Sequence, residues 1–123
     1  MSGELDLSTT RAGACAVVSV GGEIDPGTAS ELSNAALSAM QEIGPSLVLD
    51  LSGVTFMDST GLKVLLAVHQ RAQLAGGRLV LAGATRPVLR VVSITGLDET
   101  FDVRDNVEEA VAAFTGEEPA ASG

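Results

Sequence analysis

Three short apolar runs, residues 14–21, 47–51 and 78–82, recur along the chain, and the segments after them carry apolar residues at helical spacing. An unbroken apolar run suits a strand covered on both faces, whereas a 3.6-residue period suits a helix lying against a sheet. Alternation of the two predicts parallel strands joined by crossover helices, because parallel neighbours cannot be linked by a tight turn. The expected class is α/β, with a mixed β-sheet of four or five strands and about four helices. Most strands are expected parallel, with an N-terminal antiparallel edge.

Local signals set the expected boundaries. Residues 5–11 read as an edge strand, and Gly21-Gly22 as the end of the strand over 14–21. Asp25-Pro26-Gly27-Thr28 opens a helix, capped by Asp25 or Thr28, with Leu32, Ala35, Ala36 and Met40 as its apolar stripe. Gly44-Pro45 ends it. After the strand over 47–51, residues 52–57 read as a loop. Asp58-Ser59-Thr60 then starts a long helix reaching about residue 75. Leu62, Leu65, Leu66 and Ala72 mark one apolar face of it, and Val64, Ala67 and Val68 a second, which predicts a well-buried helix. Gly76-Gly77 closes it. Residues 86–94 are helical in pattern, with Val88, Leu89, Val91 and Val92 inside; residues 101–103 form a weak strand. Asn106 caps a last helix over 107–114, with Glu108 and Glu109 in its first turn. One domain over residues 4–115 is expected, followed by a disordered acidic tail over 116–123.

Composition removes several function classes. The 123 residues include three Phe and no Trp or Tyr, so the core must be aliphatic and no stacking platform for single-stranded nucleic acid is expected. A net charge of −9 repels phosphate backbones and favours encounter with a basic protein surface. Cys15 is the single cysteine; it lies in an apolar run and reads as a buried strand residue. The N-terminus has no basic segment followed by an apolar one, so no signal peptide is expected. No apolar run reaches the ~18 residues of a membrane helix. The expected location is cytoplasmic, with no membrane and no nucleic-acid partner.

Catalytic readings fail on spacing. His69 is the only histidine and has no Cys or His at ligand spacing, so no metal is expected. Gly61-Leu62-Lys63 lacks the glycine pattern of a phosphate loop. A nucleophile elbow at Ser59 would need glycine two residues before and two after; Gly61 fits, Met57 does not. His69 lies ten residues further along the same helix, ~15 Å away at the rise of an α-helix, too far to serve as base. Asp50 ends an apolar strand as a phospho-acceptor would, but Glu23 and Asp25 are not the adjacent acidic pair that would hold Mg²⁺. The chain is therefore expected not to be an enzyme and to need no cofactor. What remains is Asp58-Ser59-Thr60-Gly61-Leu62, a helix start with two hydroxyls and a carboxylate, more than one cap requires.

The segment Phe56-Met57-Asp58-Ser59-Thr60-Gly61-Leu62 resembles the phosphorylation motif of anti-sigma factor antagonists, bacterial members of the STAS domain family. Gly22-Glu23-Ile24-Asp25 resembles the turn before that family's first helix, residues 47–51 its central strand, and Thr95-Gly96-Leu97 the segment after its third helix. The resemblance implies a STAS-like fold and a regulatory role. The unphosphorylated antagonist would bind an anti-sigma factor, itself an ATP-dependent serine kinase, and release a sigma factor. Phosphorylation at Ser59, or at the adjacent Thr60, would break the complex, and a serine phosphatase would restore it. Asp25, Asp58, Ser59, Thr60 and Gly61 are the partner-binding residues so implied. The alternative is a STAS module that binds a ligand or serves as a scaffold or transport accessory without phospho-switching.

Overall fold

The computed structural model describes residues 4–115. Five strands, β1 (Asp6–Ala12), β2 (Cys15–Ile24), β3 (Leu47–Met57), β4 (Leu79–Ala82) and β5 (Asp102–Arg104), form one sheet in chain order. β1 pairs antiparallel with β2, and every later pair is parallel. The helices are α1 (Ala29–Glu42), α2 (Ser59–Leu74), α3 (Arg86–Ile94) and α4 (Val107–Thr115). The mixed sheet with an antiparallel edge and four helices is the architecture expected from the sequence. The tail expected to be disordered lies outside the described residues.

Topology explains the layering. β2 to β5 lie side by side in chain order, so each crossover steps the same way across the sheet. Right-handed crossovers stepping one way put their helices on one face. Accordingly Leu32 and Ala36 of α1, Leu62, Leu65 and Val68 of α2, and Val88 and Val92 of α3 share one core with Ala16, Val18, Leu47, Leu49, Leu79 and Leu81. The alternate strand residues Val17, Val48, Val80 and Ala82 face the other way and meet Ala110. There α4 adds Val107, Val111 and Phe114. Both faces of the central strands are thus covered, which is why residues 47–49 are apolar without alternation. Arg78 fastens α4, donating to the Ala113 carbonyl at 3.3 Å and lying 5.2 Å from the Phe114 ring centre.

Several expected boundaries are corrected. Gly21-Gly22 does not end β2, and residues 52–57 are not a loop. The two segments pair with each other, Gly21 with Gly53 and Ile24 with Met57, through two register shifts. Neither stretch alternates cleanly, because bulges interrupt the period, so the strand is visible only as a pair. A Cβ on Gly53 would lie 3.1 Å from both the Gly21 Cα and the Val20 carbonyl oxygen, so the close approach of the strands needs glycine there. α2 buries one stripe, Gly61, Leu62, Leu65, Val68 and Ala72, rather than most of its circumference. Ala67 faces solvent, because α2 lies in an outer layer with the sheet on one side only. Leu89, expected inside α3, is 44% exposed. At the far end of α2, Gly76 with φ +89° and the Gly77 amide donating to the Ala72 carbonyl close the helix as expected. Among the described residues no helix is long and apolar enough to cross a membrane.

Candidate functional site

The long β2–β3 ribbon runs past the end of β4 and carries two acidic turns to the same edge. Ile24 and Met57 are register partners, and the residues after them are Asp25 and Asp58. The Asp58 amide donates to the Ile24 carbonyl at 3.2 Å, tying the second turn to the first. Two carboxylates 33 positions apart in sequence therefore start from neighbouring strands, which are ~4.8 Å apart in a sheet.

Each turn fixes its aspartate. Asp25 Oδ1 accepts from the Gly27 amide at 2.9 Å and the Thr28 amide at 3.1 Å. Thr28, only 3% exposed, donates from Oγ1 to the Glu23 carbonyl at 2.7 Å and accepts from the Asp25 amide at 3.0 Å. Thr28 holds the N-cap position of α1 but makes no side-chain cap bond. Its hydroxyl is used backwards, to lock the Asp25 turn. This role was missed from sequence, where Thr28 is indistinguishable from an ordinary cap.

Asp58 caps α2. Its Oδ1 accepts from the Thr60 amide at 2.9 Å and the Gly61 amide at 3.4 Å. In both aspartates Oδ1 is engaged, while Oδ2 makes no hydrogen bond among the described residues. Ser59 is the first residue of α2 and is exposed, whereas Thr60 is half-buried. Neither hydroxyl has a hydrogen-bond partner among the described residues. Gly61 is buried, and a Cβ there would stand 2.5 Å from Met57 Cγ and 2.7 Å from Ile24 Cγ2. Glycine lets this turn sit directly on the two strand ends.

The remaining candidates lie elsewhere. His69 packs edge-on against Phe101 with ring centres 5.7 Å apart, well along α2 from Ser59. Its Nδ1 is buried without a partner. Cys15 is buried, and desolvation pushes its thiol pKa up, the opposite of an activated nucleophile. Asp50 accepts from the Ser52 amide at 3.1 Å and pairs in register with Ser19. Among the described residues no three His, Cys, Asp or Glu side chains are grouped to hold a metal ion.

The STAS domain family profile matches residues 6–110 of this chain. The anti-sigma-F factor antagonist RsfB of Mycobacterium tuberculosis is 35% identical over 103 residues, covering 82% of each chain. The anti-sigma-B factor antagonist of Bacillus subtilis is 34% identical over 94 residues, covering 76% of this chain and 85% of its own. The crystal structure of an anti-sigma factor antagonist from Mycobacterium paratuberculosis superposes with a TM-score of 0.80 at 34% identity, covering 92% of this chain and 97% of that one.

Proposed function

The chain belongs to the STAS domain family, and on that premise we propose that it is an anti-sigma factor antagonist controlled by phosphorylation of Ser59. STAS anti-sigma factor antagonists are regulatory binding proteins and not enzymes. The names of the relatives support the antagonist role. In this reading the unmodified chain binds an anti-sigma factor that is also an ATP-dependent serine kinase, and a sigma factor is released. The kinase then phosphorylates Ser59 and the complex dissociates. A serine phosphatase resets the cycle.

The observation that carries this reading is the exposed Ser59 hydroxyl, without a hydrogen-bond partner among the described residues, beside an Asp58 carboxylate already locked on the helix start. A phosphate at a helix N-terminus would ordinarily take the free amides. Here Asp58 occupies those of Thr60 and Gly61, and the Leu62 amide donates to the Asp58 carbonyl at 3.3 Å. Only the Ser59 amide is left for it. The added charge of about −1.5 to −2 is therefore weakly compensated within the domain and sits next to fixed negative charge. In a docked interface such like-charge crowding costs several kcal/mol, enough to dissociate a complex without unfolding either partner. Greater exposure favours Ser59 over Thr60 as the modified hydroxyl.

The test is capture from the native cell extract on immobilised, unmodified chain, with identification of any ATP-binding anti-sigma factor retained. Its affinity is then titrated against the parent, Ser59→Ala and Ser59→Asp. The expected result is equal binding by parent and Ser59→Ala, with at least about tenfold weaker binding by Ser59→Asp. Equal affinity in all three would refute charge control. Phosphate mapped to Thr60 would move the switch by one residue. Capture of no anti-sigma factor would leave the ligand-binding or scaffold reading.

A further inference from the structure

Close in sequence to the switch serine, the end of β3 and α3 enclose an open groove of about 310 Å³. Phe56, Met57, Pro87 and Val91 form its apolar floor, and Arg86 and Arg90 its rim. We propose that this groove receives an apolar side chain flanked by a carboxylate from the anti-sigma factor, and that it selects an acidic partner surface. The inference rests on the antagonist reading and names the chemistry by which that partner is recognised.

The floor is an unused aromatic. Of the three phenylalanines, Phe101 is 4% exposed against His69, and Phe114 lies under Arg78. Phe56 alone has no ring or cation contact, and it is 46% exposed. Aromatic and arginine side chains grouped on a surface are the residue types that dominate protein interfaces.

The rim is cationic. On a chain with 16 acidic residues against 7 basic ones, Arg86 and Arg90 are exposed and one helical turn apart, and like Arg11, Lys63 and Arg71 they make no ion pair among the described residues. The two ion pairs among the described residues, Arg78 and Arg104, both go to Asp102. The α3 sequence, RPVLRVVSI, contains no acid at all. A local positive patch on a molecule of net charge −9 is complementary to a carboxylate, which the planar guanidinium fork matches in geometry. The groove's volume, at the low end of the range for small-ligand sites, accommodates a side chain or two.

Position links the groove to the switch. Phe56 precedes Ser59 by three residues, a span of at most ~11 Å.

The test uses the anti-sigma factor recovered by the capture experiment, titrated against the parent chain and three variants. The Arg86→Glu/Arg90→Glu pair reverses the rim. Phe56→Ala empties the floor. Arg11→Glu/Arg71→Glu makes the same change in net charge at exposed positions outside the groove. All substituted side chains are exposed, and circular dichroism with a urea midpoint checks that each variant is folded. The rim pair is expected to lose at least about tenfold in affinity and most of the salt dependence of binding. Phe56→Ala is expected to lose about tenfold, and the control pair less than about threefold. Parent-like binding by the folded rim pair, or an equal loss in the control pair, overturns the groove while leaving the antagonist reading intact. If the parent itself retains no anti-sigma factor, both fall together.

Discussion

Replacing Gly61 by alanine tests how the helix start is seated on the sheet. Gly61 is not among the glycines with positive φ, so alanine meets no backbone penalty and only packing is probed. The new Cβ would lie 2.5 Å from Met57 Cγ, 2.7 Å from Ile24 Cγ2 and 3.0 Å from Met57 Sδ. Ile24 is fully buried and has no open space to enter, whereas Met57, 2% exposed, borders the groove beside α3. Ile24 is β-branched and cannot swing its methyl aside without leaving its preferred rotamer. Restoring an ordinary 3.4 Å contact from 2.5 Å requires the first turn of α2 to lift by about 0.9 Å. Overpacking of this kind costs ~1–3 kcal/mol, and the overlap with the stiff, fully buried Ile24 places it near the upper end. Alanine's better helix propensity returns up to ~1 kcal/mol. The net expectation is a loss of ~2 kcal/mol, which at a urea slope near ~2 kcal/mol/M lowers the unfolding midpoint by ~1 M. Paired urea titrations followed by circular dichroism measure it. A midpoint equal to or above the parent's would mean that the turn is not seated on Ile24 and Met57, and the account of the site would need rebuilding.

Other substitutions separate the roles of the neighbouring residues. Asp58→Ala removes the only side-chain cap of α2 and should cost ~1 kcal/mol, whereas Ser59→Ala, which loses no hydrogen bond, should stay within ~0.5 kcal/mol. Equal losses in parallel urea titrations would contradict this division. Thr28→Val leaves the Glu23 carbonyl and Asp25 amide without their hydroxyl partner at a buried position, for a loss of ~1–3 kcal/mol that Thr28→Ser largely recovers. Thermal melts that do not distinguish the three proteins would rule that out. Burial raises the Cys15 thiol pKa in the folded state, so the folded chain keeps that proton to higher pH than the unfolded chain. Its contribution is whole below the unfolded value of about 8.5 and is lost as pH rises through the folded value. The parent should therefore lose more stability than Cys15→Val between neutral and alkaline pH. Parallel declines would show that the thiol stays protonated or that its burial is incomplete.

The order and type of elements were legible in the sequence because they rest on local signals. A helical period, a short apolar run and a Gly-Gly stop each act within a few residues, and α2, β4 and the Asn106 cap of α4 appear where those signals put them. The Asp58-Ser59-Thr60-Gly61 motif was legible for the same reason, since a helix start writes its polar residues consecutively. Pairing was not legible. The outer halves of β2 and β3 look like a glycine break and a loop, and become strands only because each supplies the other's hydrogen bonds through a bulged register. That same pairing puts Asp25 beside Asp58, a proximity invisible across 32 intervening positions. In the sequence the polar cluster reads as a cap as a whole, whereas in the fold Asp58 alone makes the cap bonds and the Ser59 hydroxyl has no hydrogen-bond partner among the described residues. Arg86, Arg90 and Phe56 carry no local mark as a group, because a strand end and a later helix meet only when the sheet has closed. Local signals in the chain thus specify most of its elements and the polar start of α2, whereas which side chains face one another depends on cross-strand register and helix docking, which are contacts between residues far apart in the chain.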